Sequence, residues 1–383
     1  MSTSTSTSFS FDRLVGVVVV LLLLLVMALV WQTQGQKATP TATKRTDQQY
    51  IVYSAVDEQG IEQLFAISVT VQASNIITGV AKQLSHEQVG IWDFSVSPFA
   101  DQILYAALTS KGNADLWLTT PLSQTPTLLV SCPDGACSSS AWAKDGRLVA
   151  YSRRNATSSG TATLNPPRLW MIDTLTGESA AVFSDTQKLA FEPRWSSDSK
   201  WISYLSPDFV GVGVMNLESG ATQFFETPSG EPAVWRPAHP QIVLTVQSQI
   251  SDTWVTNLVM IDVGSGEKLN LSGETLLVED SSPVWTPDGE QLIFRRRIVE
   301  GAGRSLSKQI WKMRADGSEA QPLTNEPDFE HDFVSMAPAG NYVVFHKFPL
   351  KGPNVVLSVW ALNLATGQQT EIARPGQRPK WLP

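Results

Sequence analysis

The chain has 383 residues, 42% of them hydrophobic, with 13 Trp, 25 Gly, 23 Pro and a formal net charge of -8. That is ample apolar material for one large core. The acidic balance argues against nucleic acid or an anionic membrane face as a partner for the whole surface.

Residues 1–13 open as a Ser/Thr-rich head with no packing pattern, expected to be disordered. Residues 14–31 carry no charge and are dominated by Val and Leu up to Trp31. At 1.5 Å per residue that run spans about 27 Å, close to the hydrocarbon core of a bilayer. It is long for a cleaved signal peptide, and neither an Ala-x-Ala site nor a Cys follows it. The expectation is a transmembrane signal anchor that holds the rest of the chain on the extracytoplasmic side, periplasmic or at the cell surface. Charge bias gives no orientation, because Arg13 precedes the segment while Lys37, Lys44 and Arg45 follow it. Residues 32–48 are polar and read as a flexible linker with about 23 Å of reach.

From residue 49 onward one unit recurs. Its best copy is Ser282-Pro283-Val284-Trp285-Thr286-Pro287-Asp288-Gly289, followed by the apolar strand Leu292-Ile293-Phe294. A strand ending at Trp285, turn residues with Gly free to take positive φ, and a β-branched or aromatic return strand spell a hairpin. The slot of Trp285 is filled elsewhere by Val96, Trp142, Trp195, Trp235, Met336 and Trp381, at successive spacings of 46, 53, 40, 50, 51 and 45. Return strands such as Ile103-Leu104-Tyr105, Trp201-Ile202-Ser203-Tyr204 and Tyr342-Val343-Val344-Phe345 follow. Third strands such as Leu169-Trp170-Met171 and Ile310-Trp311-Lys312 come next, each before a Gly-containing turn. The fourth unit is weak here, with Gly213 in the aromatic slot.

The last copy, at Trp381, is a first strand with nothing after it, while Tyr50-Ile51-Val52-Tyr53 and Gln63-Leu64-Phe65-Ala66-Ile67 read as a second and third strand with no first. The two ends together complete one unit. The expectation over 49–383 is therefore an all-β, seven-bladed β-propeller closed by a blade shared between the termini, behind one transmembrane helix. An open two-sheet sandwich would not explain the split unit.

These motifs resemble those of the TolB-like β-propeller family, a WD-repeat-like architecture. Its signature is a proline, a tryptophan and Ser-Pro-Asp-Gly before an Ile-Ala-Phe-like strand, best matched here at Pro283–Phe294 and Pro193–Tyr204. The resemblance implies the fold and leaves the function open, since such rings serve as binding modules, scaffolds and enzymes.

In such a ring the connections from second to third strand lie on one face, and here they differ from unit to unit: Ser152–Pro167, Gln247–Thr256, Arg295–Lys308 and His346–Ser358. Long dissimilar loops on a rigid ring are where binding usually sits. They carry clustered bases, Arg153-Arg154, Arg295-Arg296-Arg297 and His346-Lys347, which with His331 form the expected binding set, a basic rim suited to carboxylates on a protein or an anionic glycan. Acids enter the first strands at Asp93, Glu192, Glu231, Asp280, Glu330 and Asp332. The resemblance also offers a metal-dependent uronate-lyase-like site at His86, His331 and His346, although no His motif matches residue by residue.

No Gly-x-Ser-x-Gly elbow is present, so the expectation is a monomeric, non-catalytic binding module without cofactor or resident metal. The metal-dependent carbohydrate enzyme and a structural or sensor subunit of an envelope complex are the alternatives. Cys132 and Cys137, five positions apart with no other cysteine, suit a disulfide staple in an oxidising compartment.

Overall fold

The computed structural model describes residues 48–383, apart from 73–74, 100, 124, 158–163, 251, 274–276, 302, 354 and 383. The expected head, apolar segment and all of the linker but Gln48 lie outside the described residues. Among the described residues no helix is long and apolar enough to cross a membrane.

The described residues form 28 strands and fall into antiparallel groups of four. The first strands of the groups are Ile91–Val96, Gly135–Trp142, Phe191–Trp195, Val234–Trp235, Val278–Trp285, Phe329–Met336 and Gln377–Leu382. Each pairs only with the second strand of its own group, apart from single parallel bridges Ala114–Ala136 and Thr256–Glu279 to the group before. Gln377–Leu382 pairs with Gln49–Val56, placing Trp381 opposite Ile51, and Glu62–Gln72 and Asn75–Gln83 complete that group. The split unit read from the sequence is therefore present. Gln377–Leu382 also packs against both Phe329–Met336 and Ile91–Val96, the first strands of the groups on its two sides.

Second strands run through the middle of each sheet and are apolar on both faces. Ile103, Leu104 and Tyr105 are fully buried, as are Ile293 and Phe294 and, in the next group, Val343 and Phe345. The core consists of slabs between neighbouring sheets: Val52 and Leu64 meet Ile91, Phe94 and Tyr105, while Ile293 and Ile310 meet Val343 and Phe345. Burial of each such side chain stabilises by roughly 1.5–3 kcal/mol.

The turn chemistry has a direct structural cause. Thr286 Oγ1 donates to Asp288 Oδ1 at 2.6 Å and accepts the Gln291 amide at 3.0 Å, while Asp288 Oδ1 accepts the Glu290 amide. These bonds hold the Asp288 carboxyl below its usual range, the Thr286 hydroxyl contributing most. Gly289 takes φ +72°. Ser196 and Asp198 repeat the arrangement. Gly213, the weak slot of the sequence pattern, lies under the Tyr204 ring, where an added Cβ would come within 2.4 Å of it.

Two expectations are corrected. Gln247–Thr256 is not a long loop, because strands Gln241–Ile250 and Thr253–Asp262 extend to within two residues of each other. The bases assigned to loops lie inside second strands, namely Leu148–Asn155, Gln291–Ile298 and Tyr342–Pro349.

Candidate axial binding site

Three residues before each Trp-type anchor stand Asp93, Ser139, Glu192, Pro232, Ser282, Phe333 and Arg378. Ser139, Glu192, Ser282, Phe333 and Arg378 all take the left-handed conformation, with φ of +51° to +52°. The pairing register with the second strand slips beside every one of them. A non-glycine residue held there costs of order 1 kcal/mol or more, so its repetition marks a built bulge that re-aims one side chain per unit. Asp93, Ser139, Glu192, Phe333 and Arg378, from five first strands, line a single cavity of about 500 Å³. Only the middle of the ring lets five units meet.

Around that cavity charges of both signs face one another. Asp93 Oδ2 accepts the Ser139 amide at 2.6 Å, whereas its Oδ1 is buried with no hydrogen-bond partner. Burial pushes the Asp93 carboxyl up, with Glu192 adding to the shift and the Ser139 amide, Lys380 and Arg378 opposing it. Glu192 accepts the Ser139 hydroxyl at 2.8 Å and Arg194 Nη2 at 3.0 Å. Arg378 is pinned by the Trp92 carbonyl at 2.5 Å, by Ser54 Oγ at 3.3 Å and by Glu62. Lys380 sits 5.6 Å over the Phe94 ring and has no hydrogen bond or ion pair among the described residues. Burial, reinforced by Arg194 and Arg378, holds its ammonium down at about 8 against the pull of Asp93 and Glu192. Trp92 and Phe333, 41% and 49% exposed, flank the cavity. One carboxylate oxygen and one ammonium are left for a ligand to fill.

On the opposite side of the ring the charges satisfy each other. Arg295 reaches Glu330 at 2.7 Å and Asp332 at 2.6 Å. Lys308 donates to Ser281 Oγ at 2.8 Å, and Glu231 accepts Thr245 Oγ1 and the Ser282 amide. Most members of the expected basic rim are likewise engaged with acids or rings. Arg296 makes a two-pronged pair with Asp280 at 2.7 and 2.6 Å, both side chains being buried. Arg297 pairs with Glu279, and Lys347 with Glu326 at 2.9 Å over the Trp360 ring. Two-residue periodicity carried Arg295–Arg297 along a strand whose neighbours supply an acid to each. Arg153 lies 4.8 Å over Trp170, and Arg154 borders the axial cavity.

The histidines do not assemble. His331 is fully buried between Glu326 Oε2 and the Lys308 carbonyl, while His86 lies beside Gln83 against a different surface cleft. Among the described residues no group of three or more His, Cys, Asp or Glu is placed to hold a metal ion. His86, His331 and His346, the alternative metal set, are thus not brought into one group among the described residues. Cys132 and Cys137 are disulfide-bonded, with Cα atoms 6.2 Å apart.

His346 Nδ1 accepts the Arg378 amide at 3.2 Å, so the neutral ring is the form that fits. Burial lowers its proton affinity to about 4, with Arg295 and Arg378 assisting and Asp332 opposing. The unfolded chain then takes up this proton first, and stability falls as pH drops from about 6.5 towards 4. Urea midpoints measured across that window should show the slope in the wild type and lose it in His346→Asn.

No family model matches the chain. A curated relative, an uncharacterized peptidase of Bacillus subtilis (strain 168), is 23% identical over 209 residues, covering 45% of this chain and 31% of the relative. The chain thus spans under a third of the length of the curated relative it matches. The β-propeller domain of the Trilobed protease from Pyrococcus furiosus superposes with a TM-score of 0.54 at 15% identity, over 74% of this chain and 84% of that one. TolB from Acinetobacter baumannii is similar at a TM-score of 0.49 and 16% identity, over 87% of this chain and 83% of TolB. The domain has the β-propeller fold. This propeller also superposes on a Mycobacterium tuberculosis puromycin-hydrolyzing peptidase, with a TM-score of 0.59 and 12% identity over 85% of this chain and 52% of that one. The expectation of a non-catalytic module is corrected by the curated relative, which is described as a peptidase and of which the match covers 31%.

The bulge positions were half visible in the sequence. Asp93 and Glu192 stand out as acids entering first strands, whereas Ser139, Phe333 and Lys380 carry no signal of their own until the strands converge.

Proposed function

We propose that residues 49–383 form a closed seven-bladed propeller whose axial cavity binds a polypeptide segment, as the recognition module of a peptidase-like protein. In this reading residues 14–31 anchor the module in a membrane and keep it extracytoplasmic. Seven first strands, each with its own antiparallel group, support the blade count.

One observation carries the choice of ligand: an unfilled acceptor, Asp93 Oδ1, and an unfilled donor, Lys380, share one cavity. A peptide group offers N–H and C=O together and matches both. An anionic glycan would bring carboxylates against Asp93 and Glu192, where like charges in a partly desolvated cavity are costly. Trp92 and Phe333 add apolar walls for side chains.

Fluorescence anisotropy of the full chain with a labelled mixed peptide pool tests this. Lys380→Met and Asp93→Asn should each weaken binding about tenfold, the size of one charge-assisted hydrogen bond. Binding of oligogalacturonate but not of peptides would contradict it.

A further inference from the structure

Among the described residues, nine of the 13 arginines between residues 48 and 383 form ion pairs with carboxylates. Arg153, Arg154, Arg168 and Arg304 do not, and the first three gather at the seam between the group that starts at Gly135–Trp142 and the group that starts at Phe191–Trp195. Arg153 and Arg168 are direct cross-strand partners. Like charges opposite each other in an antiparallel pair destabilise the sheet, and no acid relieves this one. Lys188 joins them, held 4.1 Å over the Phe183 ring, and Arg153 is stacked on Trp170. These side chains line a cleft of about 900 Å³. The two acids that also border it are engaged with backbone amides, Asp185 with Gln187 at 2.9 Å and Asp208 with Leu189 at 3.1 Å. On a chain of net charge -8, a cleft with three cations and two occupied acids is locally positive.

This cleft neighbours the axial cavity through shared wall residues. Pro166 borders both it and a smaller apolar cleft of about 370 Å³, walled by Phe191, Leu205, Pro207 and Val210. Arg154, Pro167 and Phe191 border both that apolar cleft and the axial cavity. The surface therefore runs from a site of mixed charge, across an apolar saddle, to a cationic end.

We propose that this track is the specificity-determining extension of the axial site, selecting polypeptide segments that carry an apolar residue followed by acidic residues. The apolar side chain lies on the Phe191–Val210 saddle, and the carboxylates are taken by the guanidinium forks of Arg153 and Arg168 beside Lys188. This rests on the reading of the axial cavity as a polypeptide site.

The test uses the full chain and three labelled probes: a Gly/Ser decapeptide bearing one Leu and three Glu, the same peptide with Lys replacing Glu, and oligogalacturonate. The acidic peptide is expected to bind at least tenfold more tightly than the basic one, with affinity that weakens as salt rises. Arg168→Glu, at a side chain without ion partners, should abolish that preference, and Arg153→Gln should reduce it about tenfold. Equal affinity for the two peptides, an unaltered preference in Arg168→Glu, or tighter binding of oligogalacturonate would overturn the proposal. Lys380→Met separates the two claims. Peptide binding weakened about tenfold in Lys380→Met with no acid preference in the wild type leaves the axial reading and removes the track. Acid preference that survives Lys380→Met without loss of affinity removes the axial reading, and with it the proposal in this form.

Discussion

Deleting Gln377–Leu382 is expected to unfold the whole propeller domain rather than fray one edge. The strand pairs with Gln49–Val56 across the full separation of the chain. Trp381, 3% exposed, packs with Ile51, Tyr342 and Val344, whereas Leu382, fully buried, packs with Val52, Leu64 and Tyr105 on the other side. Its loss therefore opens two of the slabs that join neighbouring sheets and leaves a bare edge along Gln49–Val56. Truncating a buried Trp costs about 3–5 kcal/mol and a buried Leu about 2–5 kcal/mol. Together these rival the 5–15 kcal/mol that holds a typical domain folded. Hydrogen exchange should show protection lost as far away as Leu148–Asn155. Protection lost only in Gln49–Val56 would contradict a ring that stands or falls together.

The second large effect is at Arg296. Its guanidinium is 4% exposed and grips Asp280, which is 0% exposed and also accepts the Ser272 hydroxyl at 2.6 Å. Removing one partner of such a pair strands a buried charge, so Arg296→Met should cost about 3–5 kcal/mol in urea unfolding. Replacing both partners, Arg296→Met with Asp280→Leu, leaves no orphaned charge and should recover most of the loss. A small effect of the single variant would mean that Arg296 is free to meet a ligand, as a rim residue would be.

The contrast between Arg296 and Arg168 shows where the sequence could and could not be read. The hairpin motif was legible because Thr286, Asp288 and Gly289 act locally: hydroxyl, carboxylate and positive φ satisfy one turn from within five residues. The pairing of the two terminal strands was legible because a first strand at Trp381 and a second strand at Tyr50 each lacked the other. Charge placement was not. Arg295-Arg296-Arg297 looks like an exposed basic run, yet its acids come from the preceding strand at Glu279 and Asp280 and from Glu330 and Asp332 of the next group. Arg153 and Arg154 look alike in sequence and have no ion pair among the described residues, because Arg153 faces Arg168 and Arg154 faces Ala136 across the pairings where an acid would have been needed. The axial cavity was legible only as a row of acids; the left-handed bulge found at this position in five of the seven units depends on pairing register, which no single strand encodes.

Photo-crosslinking places the ligand most directly. A peptide from the bound pool, carrying a diazirine side chain, is irradiated with the full chain and the adducts are mapped by mass spectrometry. The axial account expects adducts on Trp92, Phe333 and the strand Phe191–Trp195, strongly reduced in Lys380→Met at the same peptide concentration. Adducts confined to the outer edges of the sheets, unchanged in that variant, would contradict it.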